Sequence, residues 1–348
     1  MFSSVSNTLL KQLGTASLSS LYTNRLVLIG GSGFVGANIA LLANKMGIQT
    51  LNLDLYQSLM PFNSGIEYCK FDLNVPSEFI SINSLLPEKL DLVILATPII
   101  VDSKQKMETQ INSQNIFDDL FLDQVNLYYE NIHKFITMYS TKIRKIIYVS
   151  SLDVYGSLNQ LNITIDKTTI PSPNSSYALS KYAGEISVTL SARSVGIQVS
   201  ILRLSQVFGP GESARYNRLI PKLLKEFSLG RHVELNPFRN CTRQYVSTYQ
   251  VFAHMLDCML QTDKDYELRN VVGHKTEFVE IVKMCNEICN FGTFDIKPAN
   301  DLDWYQANIQ IDYPSFLEET FNKGYSEHFR NTLRDELQYM SKELRNWQ

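Results

Sequence analysis

Arg25-Leu26-Val27-Leu28-Ile29-Gly30-Gly31-Ser32-Gly33-Phe34-Val35-Gly36 reads as a strand, a glycine turn and the opening of a helix. The apolar run does not alternate, which marks a strand covered on both faces. The glycines fit G-x-G-x-x-G from Gly31 and G-x-x-G-x-x-G from Gly30. Glycine at these positions allows a tight turn, lets the main chain approach a pyrophosphate, and lets helix and strand pack closely. The helix that follows turns free N–H groups toward an anion. A strand before and a helix after are the context a dinucleotide loop requires, so Gly30, Gly33, Phe34, Val35 and Gly36 are assigned to cofactor binding.

Working outward, apolar runs recur at Gln49–Leu53, Leu90–Ala96, Lys145–Ser150 and Gln198–Leu204. Helical periodicity fills Val35–Met46, Val125–Thr141 and Tyr177–Val195 between them. The alternation predicts the α/β class, a doubly wound parallel sheet of Rossmann type over 25–205 with a return segment near 240–275. After about residue 205 turn signals at Gly209-Pro210-Gly211 and further helices predict a smaller C-terminal substrate-binding lobe, from 206–239 and 276–348. The second strand ends at Asp54, 18 residues beyond Gly36. A carboxylate there accepts both ribose hydroxyls of NAD and repels the extra phosphate of NADP, so NAD is the expected cofactor. Asp72 is read either as a contact to the adenine edge or as a helix cap. Leu73 and Ala96, at strand ends, join the cofactor set.

Of the 348 residues 44% are hydrophobic and 19% charged, which excludes a disordered chain. Thirty-two Lys and Arg against 35 Asp and Glu leave a net charge of -3, which argues against a nucleic-acid partner. No apolar run is long enough for a membrane-spanning helix. Five scattered cysteines make a disulfide framework improbable and favour a reducing compartment. Cys285 and Cys289, at i,i+4 spacing, read as buried helix-face thiols, and the five histidines show no ligand spacing, so no metal is expected. Residues 1–24 hold no acid, nine Ser or Thr and one Lys. They read as an N-terminal helix or tail of a cytoplasmic protein, with a mitochondrial transit peptide as the alternative.

Three segments carry chemistry: Val149-Ser150-Ser151-Leu152-Asp153-Val154-Tyr155-Gly156, Tyr177-Ala178-Leu179-Ser180-Lys181, and Leu202 to Gly211. Tyr177 and Lys181 stand four apart on a helix, on one face with about 6 Å of rise between them. A nearby ammonium stabilises phenolate and makes the phenol a usable base.

With the glycine loop, these segments closely resemble the extended short-chain dehydrogenase/reductases, specifically the NAD-dependent epimerase/dehydratase family acting on nucleotide sugars. The resemblance runs from about Arg25 to about Asn331. It implies that Ser151 orients the reacting hydroxyl, that Tyr177 removes its proton, and that Lys181 also holds the nicotinamide ribose. In Arg239-Asn240-Cys241-Thr242-Arg243, it implies that Arg243 reaches the substrate diphosphate, with a surface ion pair as the competing reading. Gln206 stands where an asparagine commonly meets the diphosphate, and either Asn217 or Arg218 falls where the nucleotide is covered. Asn270-Val271-Val272-Gly273 and Asp312-Tyr313-Pro314-Ser315 match structural elements of the family. Ala96-Thr97-Pro98 departs from the common His-x-Ala. In 4,6-dehydratases an Asp-Glu pair follows the catalytic hydroxyl, whereas this chain has Leu152-Asp153. Asp153 is read as a base beside a transient 4-keto group or, equally, as a turn residue.

The leading expectation is transient oxidation of a sugar hydroxyl at C4 of a nucleoside-diphosphate sugar, with net epimerisation, in a homodimer joined through Val125–Thr141 and Tyr177–Val195. Dehydration, decarboxylation and keto-sugar reduction are the rivals within the class. Outside it stands a non-catalytic NAD-binding interaction or sensor protein.

Overall fold

The computed structural model describes residues 25–58, 65–96, 119–156, 164–211, 218–235, 242–261, 263–273, 275–296, 308–309 and 329–338. Residues 1–24, Thr97, Pro98, Asp102–Gln114, Asn217, Arg239 to Cys241 and Asp312–Ser315 lie outside them.

Seven strands form the central sheet: β1 (Arg25–Ile29), β2 (Thr50–Asp54), β3 (Ile66–Lys70), β4 (Leu90–Ile94), β5 (Ile143–Ser151), β6 (Gln198–Leu204) and β7 (Tyr266–Val271). All neighbours are parallel, in the order β7-β6-β5-β4-β1-β2-β3. Leu28 of β1 lies opposite Asn52 on one side and Val93 on the other, so the winding reverses at β1 and leaves a crevice at the carboxyl ends of β1 and β4.

The helices are α1 (Phe34–Lys45), α2 (Asp119–Met138), α3 (Ser176–Ser194), α4 (Leu219–Ser228), α5 (Thr248–Leu260) and α6 (Phe278–Cys289). Successive strand residues point to opposite faces. Leu26, Leu28, Val93, Ile147 and Val149 pack with α1 and α5 on one face. Val27, Ile29, Leu92, Ile94, Ile146 and Tyr148 pack with α2 and α3 on the other. Both faces are apolar because both are covered, which is why the strands read as continuous hydrophobic runs. Local capping fixes the helix starts: the Ser175 hydroxyl accepts from the Ala178 amide at 3.1 Å, and Ser247 with Gln250 forms a capping box on α5.

A second core gathers Phe208, Leu223, Leu224, Phe227, Ile281 and Cys285, with Phe329 and Leu333 from a helix over 329–338. Beside it lie a three-stranded sheet of Gln206–Phe208, Thr242–Ser247 and Lys275–Glu277 and a two-stranded sheet pairing His232–Leu235 with Thr293–Ile296. The amino-terminal edge of the large sheet is unexpectedly charged inside. Lys145 is fully buried and donates to the Gln261 carbonyl at 2.8 Å, Arg144 meets buried Asp91 at 2.7 Å, and Arg269 meets Asp257 at 2.6 Å. Cys69, Cys258, Cys285 and Cys289 are free thiols; Cys241 lies outside the described residues.

Candidate active site

The glycine loop closes β1 at the crevice. Gly30 has φ +83°, and a Cβ there would lie 2.6 Å from the Ala96 nitrogen. Gly31 faces the Asn52 side chain and Gly36 faces the Gly31 Cα, so both are required by packing inside the protein. Gly33 differs: a Cβ there would meet only the Gly30 carbonyl, at 3.7 Å. As the N-cap of α1 it brings no side chain to close the helix end. The helix amides therefore face an open cradle, the shape a pyrophosphate requires.

At the rim, Asp54 accepts from the Ser32 amide at 2.8 Å and the Tyr56 amide at 3.2 Å, which anchors its carboxylate beside the loop. Buried Asn52 donates to the Ser32 hydroxyl at 2.8 Å, a support that the glycine pattern does not disclose. Open space at Gly33 and an anchored acid at Asp54 fit the pyrophosphate and ribose of a dinucleotide. Phe34 is buried, Val35 half-buried, and the Ala96 amide donates to Ile29. Asp72 accepts from the Asn74 amide at 2.8 Å, turning the chain ahead of the short helix Ser77–Ser81. Leu73 is buried in the core.

Across the crevice, Ser151 ends β5, and its hydroxyl accepts from the Asp153 amide at 3.2 Å, capping a single 3-10 turn over Leu152–Tyr155. Tyr177 is half-buried in the first turn of α3. One turn further, Lys181 is 3% exposed and donates to the Val149 carbonyl at 2.8 Å and the Leu95 carbonyl at 3.4 Å. Burial drives the Lys181 ammonium down to about 7, and the Glu185 carboxylate opposes that fall. The structure thus brings Lys181 to the ends of β4 and β5, on the same helix as Tyr177.

Beneath this group lies a set of contacts that the motifs did not name. The Glu185 carboxylate accepts from the Ser150 hydroxyl at 2.5 Å and from Arg203 Nε and Nη2 at 2.9 and 2.6 Å. Arg203 also stacks on the Tyr155 ring at 4.7 Å, and the Tyr155 hydroxyl donates to Asn270 at 2.9 Å. Burial disfavours the Arg203 charge, but the bonds and attraction to Glu185 more than restore it. The sequence carries two marks of this group that the motif reading passed over, an acid four residues after Lys181 and an arginine inside the apolar run of β6, though neither tells that the two meet.

The remaining candidates lie apart from that buried group. Asp153 is exposed on the 3-10 turn, and Gln206 is exposed in the small sheet, paired with Tyr245. Arg218 is exposed at the N-cap of α4. Arg243 is half-buried and donates to the Thr242 carbonyl at 3.0 Å.

A family model described as the NAD dependent epimerase/dehydratase family matches residues 26–271. The chain belongs to that family. Among curated relatives, a dTDP-D-glucose 4,6-dehydratase of Dictyostelium discoideum is 24% identical over 276 residues, covering 74% of this chain. The match takes in only 59% of that relative's length. The protein of the same name in Bos taurus is 22% identical over 354 residues, covering 94% of this chain and 91% of its own. Among solved structures, a UDP-glucose 4-epimerase of Thermotoga maritima with UDP-glucose superposes with a TM-score of 0.68 at 20% identity, covering 92% of this chain and 99% of its own. The UDP-glucose 4-epimerase of Thermus thermophilus, solved with NAD, gives 0.66 at 20% identity, covering 90% and 98%. These likenesses show the epimerase/dehydratase family fold.

Proposed function

We propose that this member of the family is an NAD-dependent enzyme that oxidises a sugar hydroxyl at C4 of a nucleoside-diphosphate sugar transiently and returns the hydride to give net epimerisation. The observation that carries the reading is the buried Lys181, anchored on the carbonyls of β4 and β5 one turn from Tyr177. NAD would be held by the glycine loop at Gly33 and by Asp54, and would supply a reversible hydride acceptor at that carbon. Tyr177 takes the hydroxyl proton as the carbon is oxidised and returns it when the keto group is reduced. Ser151, on the rigid strand end, orients the hydroxyl. Lys181 supplies the positive charge that favours phenolate and offers its ammonium to the nicotinamide ribose. Gln206 and either Asn217 or Arg218, in the lobe of 206–239 and 276–348, and Arg243, in the return segment near 240–275, are assigned to the substrate diphosphate and nucleotide.

Net epimerisation is preferred to dehydration because Leu152 stands at the acid position of the dehydratase pair and is buried, while only Asp153 remains to move a proton. A homodimer is the proposed assembly. Its support is that Leu127 and Met138 on α2 and Ile186 and Leu190 on α3 are apolar yet exposed.

The test is direct. UDP-glucose and dTDP-glucose are offered to the purified chain, products are separated by chromatography and identified by proton NMR, which distinguishes epimers of equal mass, and the native chain is compared with Tyr177→Phe. The variant should retain its nucleotide and lose roughly 10²- to 10⁴-fold in kcat. Equal turnover by both proteins refutes the reading, and net consumption of NADH would favour a reductase.

A further inference from the structure

We propose that Glu185 is a positioning residue of this reaction, whose carboxylate pins the helix carrying Tyr177 and Lys181 to the strand carrying Ser151 and so sets the spacing at the reacting carbon. The proposal rests on the enzymatic reading above. Its geometry is a three-element junction. Glu185 belongs to α3, Ser150 to β5 next to Ser151, and Arg203 to β6, and all three are buried. Both carboxylate oxygens are used, and one oxygen takes two donors. The bidentate arginine fork fixes the carboxylate in plane, and the hydroxyl then fixes it along β5. A shift of α3 against β5 would break at least one of these bonds, and such a shift is what would separate Tyr177 from Ser151.

A buried ion pair is weak evidence for stability alone, since apolar replacements of similar volume are often neutral. The placement of this one is informative, because it joins the two elements that carry the trio. Its charge also reaches Lys181, one turn away on the same helix face. The Tyr148 ring lies 5.4 Å from that ammonium, with the Tyr129 hydroxyl bonded to the Tyr148 hydroxyl, and the Val149 and Leu95 carbonyls accept from it. Burial holds both phenols neutral by raising them, so Glu185 is the nearby negative charge that opposes the desolvation of Lys181.

The experiment compares Glu185→Gln, Ser150→Ala and the double variant Glu185→Leu/Arg203→Met with the native chain and with Tyr177→Phe. For Glu185→Gln, kcat should fall by on the order of 10²-fold, as for a misplacement near 1 Å, with the sugar-nucleotide KM within about twofold. Ser150→Ala, which leaves the ion pair intact, should give a smaller loss of the same kind. The double variant should recover thermal stability without recovering kcat.

An independent readout uses the nucleotide-free protein. An unfolded lysine keeps its proton to about 10.5, whereas folded Lys181 releases it near 7, so the Lys181 contribution to stability rises with pH across that window. Without the Glu185 charge the Lys181 part of the rise should begin at lower pH, and Lys181→Met should remove that part in both backgrounds, leaving what Lys145 and Lys45 contribute. Recovery of both stability and kcat in the double variant would make Glu185 merely structural and overturn the proposal. So would an unchanged kcat in Ser150→Ala together with an unshifted stability curve in Glu185→Gln. Should Glu185→Gln fail to fold, the Ser150→Ala kcat and the double variant decide. Unimpaired turnover in Tyr177→Phe would instead refute the enzymatic reading itself.

Discussion

Gly33, the N-cap of α1, and Gly36, in its first turn, sit three positions apart and answer to different demands. A Cβ at Gly36 would lie 2.5 Å from the Gly31 Cα, backbone against backbone, so Gly36→Ala should destabilise the nucleotide-free protein by about 1–3 kcal/mol. A Cβ at Gly33 meets nothing closer than 3.7 Å, at an ordinary φ of −67°. Gly33→Ala should therefore fold with nearly native stability and lose NAD, because the methyl enters the cradle. Thermal melts of stripped protein, paired with nucleotide content after purification, check both. The spacing of the glycines was legible in the sequence. Which glycine serves the ligand and which serves packing was not, because that depends on Asn52 and Ala96, which approach only when β2 and β4 pair with β1. Asp54 was readable for the opposite reason, since the end of a strand two elements on is fixed by topology alone.

Helix α3 shows the same division. Tyr177 and Lys181 follow from spacing on one helix. Ser150, Glu185 and Arg203 come from three elements, and no local pattern announces that they meet. The helix over 329–338 makes a comparable long-range contact, and one that can be measured. The Tyr249 hydroxyl on α5 donates to the Asp335 carboxylate at 2.5 Å. Burial raises the Asp335 carboxyl, while that bond and the charge of Lys45 hold it down. Tyr249→Phe removes the bond and should cost roughly 1–3 kcal/mol at neutral pH. With its folded pKa raised further above the unfolded one, Asp335 loses stability as pH rises through that window. The deficit should thus shrink toward acid pH, and an equal deficit at pH 5 and pH 8 in chemical denaturation would count against this assignment.

In the assembled fold, the strand order and both apolar faces agree with the hydrophobic runs, and Gln198–Leu204 appears with the bounds its sequence suggested. The outermost strand β7 was harder to read, because Glu267 and Arg269 interrupt its apolar character, and they pair with each other and with Lys264 and Asp257 once the strand is in place. Lys145, inside an apolar run yet fully buried, owes its place to the Gln261 carbonyl at the end of α5, which sequence alone cannot position. On the outer surface, Leu190 on α3 is 60% exposed. If α2 and α3 form the proposed homodimer seam, Leu190→Arg should convert a species of two-chain mass into one of single-chain mass by light scattering. A native chain already of single mass would dismiss the dimer.

The Gly211 amide donates to the buried Glu336 carboxylate at 2.6 Å, across 125 positions of chain. Asn38 of α1 donates to the neighbouring Pro210 carbonyl at 2.9 Å. The turn at 209–211 is thus held from one side by an early segment and from the other by a late one. During synthesis the ribosome must make more than a hundred further residues before the second hold exists. A nascent chain completes its glycine loop and helix α3 long before this corner locks, so the fold closes in two stages, with the fastening of the turn last.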